Sequence, residues 1–251
     1  MKDKIVRWIR NYFNKNGGPD TKAVIGISGG KDSTVAAALC VEALGADRVF
    51  GVLMPQDLQK DIYDSNWVVT LLGIPHCVIN IGQTCTALYS AMNRGLELEG
   101  NAGVQNSSIV ATNTPARIRM ATLYAVAGMI GGRVCNTSNA AEIYVGYSTK
   151  WGDGVGDFGP LRGLTVAEVI EVGRECGLPE ELLVKPPADG MSGLTDEDNL
   201  GFTYEEVAKV MNNDIVGMDL NTYAEIERRH AISLHKQVNI PMPILNSIPF
   251  D

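Results

Sequence analysis

No apolar stretch in the 251 residues approaches the ~20 that a membrane-crossing helix needs. No pair of cysteines has Cys-x-x-Cys spacing. Cys40, Cys77, Cys85, Cys135 and Cys176 are odd in number and scattered, which predicts free thiols in a reducing compartment. Basic residues are in the minority, 21 against 29 acidic, and the formal net charge is −8. Broad nucleic-acid or anionic-membrane binding needs a basic face, so both classes are disfavoured; a local basic pocket for a phosphate-bearing ligand is not. The opening "MKDKIVRWIRNYF" lacks the unbroken apolar core of a secretory signal, and its Ile5, Trp8, Ile9 and Tyr12 fall on one helical face instead. These absences predict a cytoplasmic protein. The sequons at Asn106 and Asn136 then carry no meaning.

Hydrophobic residues make up 45% and charged ones 20%, ordinary for a globular chain, and the length suits one α/β domain over 1–251. "AVIGI" (23–27), "RVFGVLM" (48–54), "CVINI" (77–81) and "RVCNT" (133–137) read as strands buried on both faces. Between them "DSTVAAALCVEAL", "DIYDSNWVVTLL" and "TPARIRMATLYAVAGMI" read as helices, the last with Pro115 near its first turn and Gly131-Gly132 past its end. This alternation predicts a doubly wound parallel sheet with helices on both faces. "KWGDGVGDFGPLRG" (150–163) and "VKPPADGMSGLTDEDNLG" (184–201) read as loops, and Thr165/Glu168 and Thr203/Glu206 as capping boxes. No internal repeat is present.

The densest chemistry lies in "VIGISGGKDS" (24–33). A glycine-rich turn at the end of a strand exposes backbone N–H groups, and the helix that follows adds its positive end; together they suit phosphate oxygens. Ser28 and Ser33 can donate to the same anion. Asp32 has two readings, a helix-capping carboxylate or a Mg²⁺ ligand beside substrate phosphates. Neither Gly-x-x-x-x-Gly-Lys-Ser/Thr nor Gly-x-Gly-x-x-Gly is present.

Ser-Gly-Gly-Lys-Asp-Ser after a first strand resembles the pyrophosphate loop of the N-type ATP pyrophosphatases, which cleave ATP between the α and β phosphates and adenylate a substrate oxygen. Within that superfamily, "NTPARIRMATLYAVA" (113–127), "NTSNAAEIYVGYSTKWGDGVGDFGPL" (136–161), "KPPADGMSG" (185–193), "TDEDNLGFTYEEV" (195–207) and "HK" (235–236) resemble the ammonia-dependent NAD synthetases. The resemblance runs from about residue 5 to 240. It implies an adenine nucleotide alpha hydrolase-like fold, a homodimer with substrate bound partly across the interface, and amidation of deamido-NAD with ATP as co-substrate, ammonia as nitrogen source and Mg²⁺ as cofactor.

Carried over residue by residue, the resemblance implies ATP contacts from Gly26, Ser28, Gly29, Gly30, Lys31, Asp32, Ser33 and Thr137. It implies Mg²⁺ binding by Asp32 and Glu142, and deamido-NAD contacts from Arg117, Lys150, Asp157, His235 and Lys236. The residues themselves also allow plainer roles. Glu142 suits a first helical turn, Asp157 a turn, and His235 and Lys236 a helix end. Two positions depart from the family pattern: Val166 and Ala188 stand where a lysine and a hydroxyl contact phosphates, leaving Lys31 or Lys185 to substitute as a point charge. No side-chain nucleophile is expected. The first strand begins near residue 23, which leaves no room for an amidotransferase domain and predicts free ammonia. Two competitors remain: a relative acting on tRNA, and a nucleotide-binding stress or electron-transfer module on the same fold, which would need neither Glu142 nor the 184–201 segment.

Overall fold

The computed structural model describes residues 1–58, 62–98, 107–185 and 195–237. Its four-stranded sheet comprises β1 (Lys22–Gly26), β2 (Val49–Leu53), β3 (His76–Val78) and β4 (Gly132–Val134). The order is β3-β2-β1-β4, and every pairing is parallel, with Val24 opposite Phe50 on one side and Val134 on the other. The two-residue side-chain period separates the faces. Ala23, Ile25, Val49 and Leu53 point into one apolar layer, whereas Val24, Val52 and Val134 point into another.

The first layer is closed by α1 (Lys2–Asn16), α2 (Lys31–Leu44), α3 (Ile62–Leu72) and α7 (Val166–Glu175), the second by α5 (Ser108–Ile130) through Met120, Leu123 and Ala127. The alanine run Ala36–Ala38 leaves α2 slim enough to be enclosed along most of its length. Against it, Gly173 of α7 sits so close that a Cβ there would lie 2.9 Å from Val35. α4 (Gly82–Leu98) lies beside α5. A smaller apolar cluster joins α6 (Ala140–Val145), α9 (Asp196–Leu200), α10 (Tyr204–Met211) and α11 (Leu220–Ser233). α8 (Glu180–Leu183) adds Leu182 and Leu183 to the first layer.

The expected strands and helices are present, with five corrections. β3 is an edge strand whose outer residues are exposed, because among the described residues no further strand covers it. β4 ends at Val134; beyond it the chain pairs through Cys135 and Phe158 with the glycine-rich loop rather than with a strand. α5 begins at Ser108, so Pro115 lies inside the helix and not in its first turn. α1 buries Val6, Ile9 and Phe13; Trp8 stays largely exposed and stacks on Tyr12. Part of the segment read as loop, Asp196–Leu200, is helical, capped by Thr195. The capping boxes at Thr165/Glu168 and Thr203/Glu206 form as expected.

Strands run outward from β1 in two directions, to β2 and to β4. In such sheets the carboxyl ends of the two diverging strands leave a crevice that no connection crosses. The N-termini of α2 and α6, which follow β1 and β4, both open into it.

Candidate functional site

The crevice is a cavity of about 750 Å³. Its walls include Gly26, Ser28, Gly30, Lys31, Asp32 and Ser33 from the first turn, and Thr137 and Glu142 beyond β4. Lys185, Asp196, Arg229 and Lys236 also line it.

The loop before α2 is held by its own hydroxyls. Ser28 Oγ and Ser33 Oγ lie 3.1 Å apart, the Gly30 N–H donates to Ser28 Oγ, and the Ser33 and Thr34 hydroxyls donate to the Gly30 carbonyl. Gly29 has φ of +81°, and a Cβ there would lie 2.6 Å from Asp64 Cβ, so conformation and space both require glycine. Gly30 occupies the N-cap of α2 and no side chain caps it. The capping role considered for Asp32 is thus unfilled: its Oδ2 accepts from Lys31 Nζ at 2.9 Å and its Oδ1 from Asn139 Nδ2 at 3.2 Å.

Asn139 is fully buried and works in both directions. Its Oδ1 accepts the N–H groups of Ala141 and Glu142, which caps α6, while Glu142 Oε2 accepts the Asn139 N–H. The first-turn role expected of Glu142 is therefore real, and the same geometry faces its carboxylate toward Asp32. Burial first, and the charge of Asp32 second, push the Glu142 carboxyl up to about 8, against the opposing charge of Lys31. Two carboxylates that repel across a crevice beside a phosphate-type loop form a donor set of hard oxygens suited to a divalent cation such as Mg²⁺. Lys31, 5% exposed, is held at this pair. Asp196 also approaches, within reach of the Tyr204 hydroxyl at 3.3 Å, and together with Glu142 it raises the tyrosine pKa behind the main effect of burial.

The other expected residues separate into two places. Lys236 lines the cavity and donates to the carbonyls of Gly146 and Ser148; burial lowers its pKa. Beside it Lys150 Nζ donates to the His235 carbonyl and Arg117 Nε to the Lys150 carbonyl; these three are linked to one another but, unlike Lys236, do not line the cavity. Asp157 is elsewhere. It lines a second cleft with Tyr12, Lys15 and Arg133, accepting from the Val134 N–H at 2.7 Å and the Tyr124 hydroxyl at 3.2 Å. Of the two altered positions, Val166 packs in the α6–α11 apolar cluster and offers no charge; Ala188 lies outside the described residues.

Sequence reading overlooked Asn139, Asp196 and Arg229. Asn139 had a local signal, an N-cap residue three positions before a glutamate. Asp196 lies within the 195–207 motif but was not singled out there, and Arg229 had no signal, since it reaches the cavity from a segment remote from the loop. Asn136, a sequon residue, is buried and donates to the Asp153 and Val155 carbonyls, which leaves no amide open to glycosylation.

A family model described as NAD synthase matches residues 1–216. An NH(3)-dependent NAD(+) synthetase from Methanococcoides burtonii is 40% identical over 90% of this chain and 80% of that relative. Among solved structures, an NMN synthetase from Francisella tularensis superposes with a TM-score of 0.85 and 31% identity, covering 96% of both chains. An NAD+ synthetase from Burkholderia pseudomallei gives 0.76 and 28%, over 94% of this chain and 88% of that one.

The raised Glu142 pKa makes a prediction for the metal-free protein. The folded state keeps a proton that the unfolded chain releases near the ordinary carboxylate range, so stability is lost as pH rises toward about 8. In chelator, the melting temperature of the wild type should fall relative to Glu142→Gln over that interval. Parallel curves for the two proteins would show that the carboxyl is not raised.

Proposed function

The chain belongs to the NAD synthase family and, as a carbon–nitrogen ligase, makes NAD by ATP-dependent amidation of deamido-NAD with ammonia; we propose that the β1/β4 crevice is where it does so, and that its residues divide the work as follows. The observation that carries this reading is the convergence of the Ser28–Ser33 loop, Asp32 and Glu142 on one cavity.

The difficulty of the reaction is that a carboxylate resists attack by ammonia. Transfer of AMP to a nicotinate oxygen forms the C–O–P linkage of a mixed anhydride and breaks the bond between the α and β phosphates. Ammonia then adds to the carbonyl carbon, the C–O bond breaks, and AMP leaves with the oxygen it gained. The loop N–H groups and the Ser28 and Ser33 hydroxyls receive the departing pyrophosphate, exchanging the hydrogen bonds they make within the loop for bonds to its oxygens. Asp32 and Glu142 would hold Mg²⁺, which supplies neutralisation of phosphate charge. Thr137 faces the nucleotide from beyond β4. Arg117, Lys150, His235 and Lys236 form the rim that holds deamido-NAD, and Asp157, in its own cleft, takes the far end of that substrate. No covalent enzyme intermediate is required.

The working unit proposed is a homodimer. The exposed residues Ala121, Tyr124, Ala125, Gly128 and Met129 share one face of α5, with Met129 86% exposed, and Arg117 stands one turn before them. A second copy on that face would complete the substrate site beside Arg117 and Tyr124. Five free thiols fit a cytoplasmic protein. Among the described residues no helix is long and apolar enough to cross a membrane.

One observation favours a second acceptor: the Francisella relative of similar shape is an NMN synthetase, so nicotinate mononucleotide is the alternative substrate. Both Asp157 oxygens already have partners within the chain, as a site reading only the near half of a dinucleotide would tolerate.

Purified protein given ATP, Mg²⁺ and ammonium should form amide, AMP and pyrophosphate in equal amounts only when an acceptor is present. A higher kcat/KM for deamido-NAD supports the first reading, and a higher value for the mononucleotide the second. ADP as product, acceptor-independent hydrolysis, or efficient use of glutamine in ammonia-free solution would contradict the assignment. Sedimentation should give a dimer, and Ala125→Glu should give a monomer; a wild-type monomer active at high dilution would refute the shared site.

A further inference from the structure

The triphosphate of ATP brings several negative charges to a loop whose described contributions are neutral N–H and O–H groups. Lys31, the cation within the loop, is buried and bonded to Asp32, which commits it to the carboxylate pair. Val166 is packed among apolar side chains. The opposite edge of the loop is different. There Gly29 lies against Asp64 and Ser65 of α3, so closely that a Cβ on Gly29 would come 2.6 Å from Asp64 Cβ and 2.9 Å from the Ser65 nitrogen. Asp64 in turn holds the ammonium of Lys185, which arrives from the segment after α8. Ser65 and Lys185 both line the cavity.

We propose that Lys185 is a binding residue for the β and γ phosphates of ATP and for product pyrophosphate, parked on Asp64 at the rim of the loop until they arrive. This rests on the ATP-dependent reading above. An ammonium on a flexible stem can leave a half-exposed carboxylate with little loss, since such ion pairs are worth only about 0–1 kcal/mol. A phosphate oxygen offers it a stronger, charge-assisted partner. Asp64 then holds the cation only in the free enzyme and competes with the phosphates for it. The arrangement places one cation on each side of the loop, Lys31 at the carboxylates and Lys185 at Gly29.

The test measures binding of pyrophosphate and of AMP, each with Mg²⁺, to full-length wild type, Lys185→Met, Lys185→Arg and Asp64→Asn, together with KM for ATP. Lys185→Met should weaken pyrophosphate and raise KM for ATP ~10–100-fold, the scale of a lost hydrogen bond to a charged group, and leave AMP binding unchanged. Lys185→Arg should recover most of the loss. Asp64→Asn should bind pyrophosphate as tightly as wild type or more tightly, because it frees the cation. Wild-type pyrophosphate affinity in Lys185→Met would overturn the proposal. So would equal weakening in Asp64→Asn, which would make the ion pair merely structural. Failure of the ATP-dependent reading looks different: the wild type itself would then release no AMP with any acceptor.

Discussion

Everything in the crevice depends on one buried amide. Asn139 caps α6 through its oxygen and reaches Asp32 at the start of α2 through its nitrogen. The carboxyl ends of β1 and β4 would otherwise lead into two independent helices, free to splay by the slack in their connecting turns. With Asn139 between them, the phosphate-type loop and Glu142 are held in one frame. A buried side chain satisfied at both ends is costly to disturb, because either loss leaves a polar group without water or partner. Electrostatic catalysis needs this kind of rigidity, since groups that must reorganise during the reaction lose their advantage.

That frame also stores a conflict. Asp32 and Glu142 face each other in a crevice from which water is partly excluded, and Lys31 offsets only part of the repulsion. The raised Glu142 pKa reflects burial first and this repulsion second. A divalent cation bound by hard oxygens from both sides would resolve the repulsion. The adenine nucleotide alpha hydrolase-like fold supplies the position, and these few side chains supply the chemistry.

Much of this was legible before any coordinates. "ISGGKDS" announced a strand, a tight turn and a helix start, because glycine, hydroxyl and carboxylate are demanded there by backbone conformation and anion binding alike. The capping boxes were legible because their partners are three residues apart. What stayed hidden was long-range or masked by a local signal. The start of α5 was misplaced because Pro115 imitates a first turn, whereas the helix carries it further in. α4 was not read as a helix, since its polar and apolar residues are mixed. Trp8 shares a helical face with Ile5, Ile9 and Tyr12 by spacing, but the residues α1 buries are Val6, Ile9 and Phe13. The separation of Asp157 from the cavity, and the pairing of Lys185 with Asp64 across 121 positions, are products of tertiary packing that no periodicity encodes.

The central claim is that the crevice activates a carboxylate by joining it to AMP. The most direct measurement is oxygen transfer from deamido-NAD carrying ¹⁸O in both nicotinate carboxylate positions, followed by mass spectrometry of all products. The account predicts one ¹⁸O in AMP, the other retained in the amide of NAD, and unlabelled pyrophosphate. Label in pyrophosphate or orthophosphate, or AMP free of label, would contradict it.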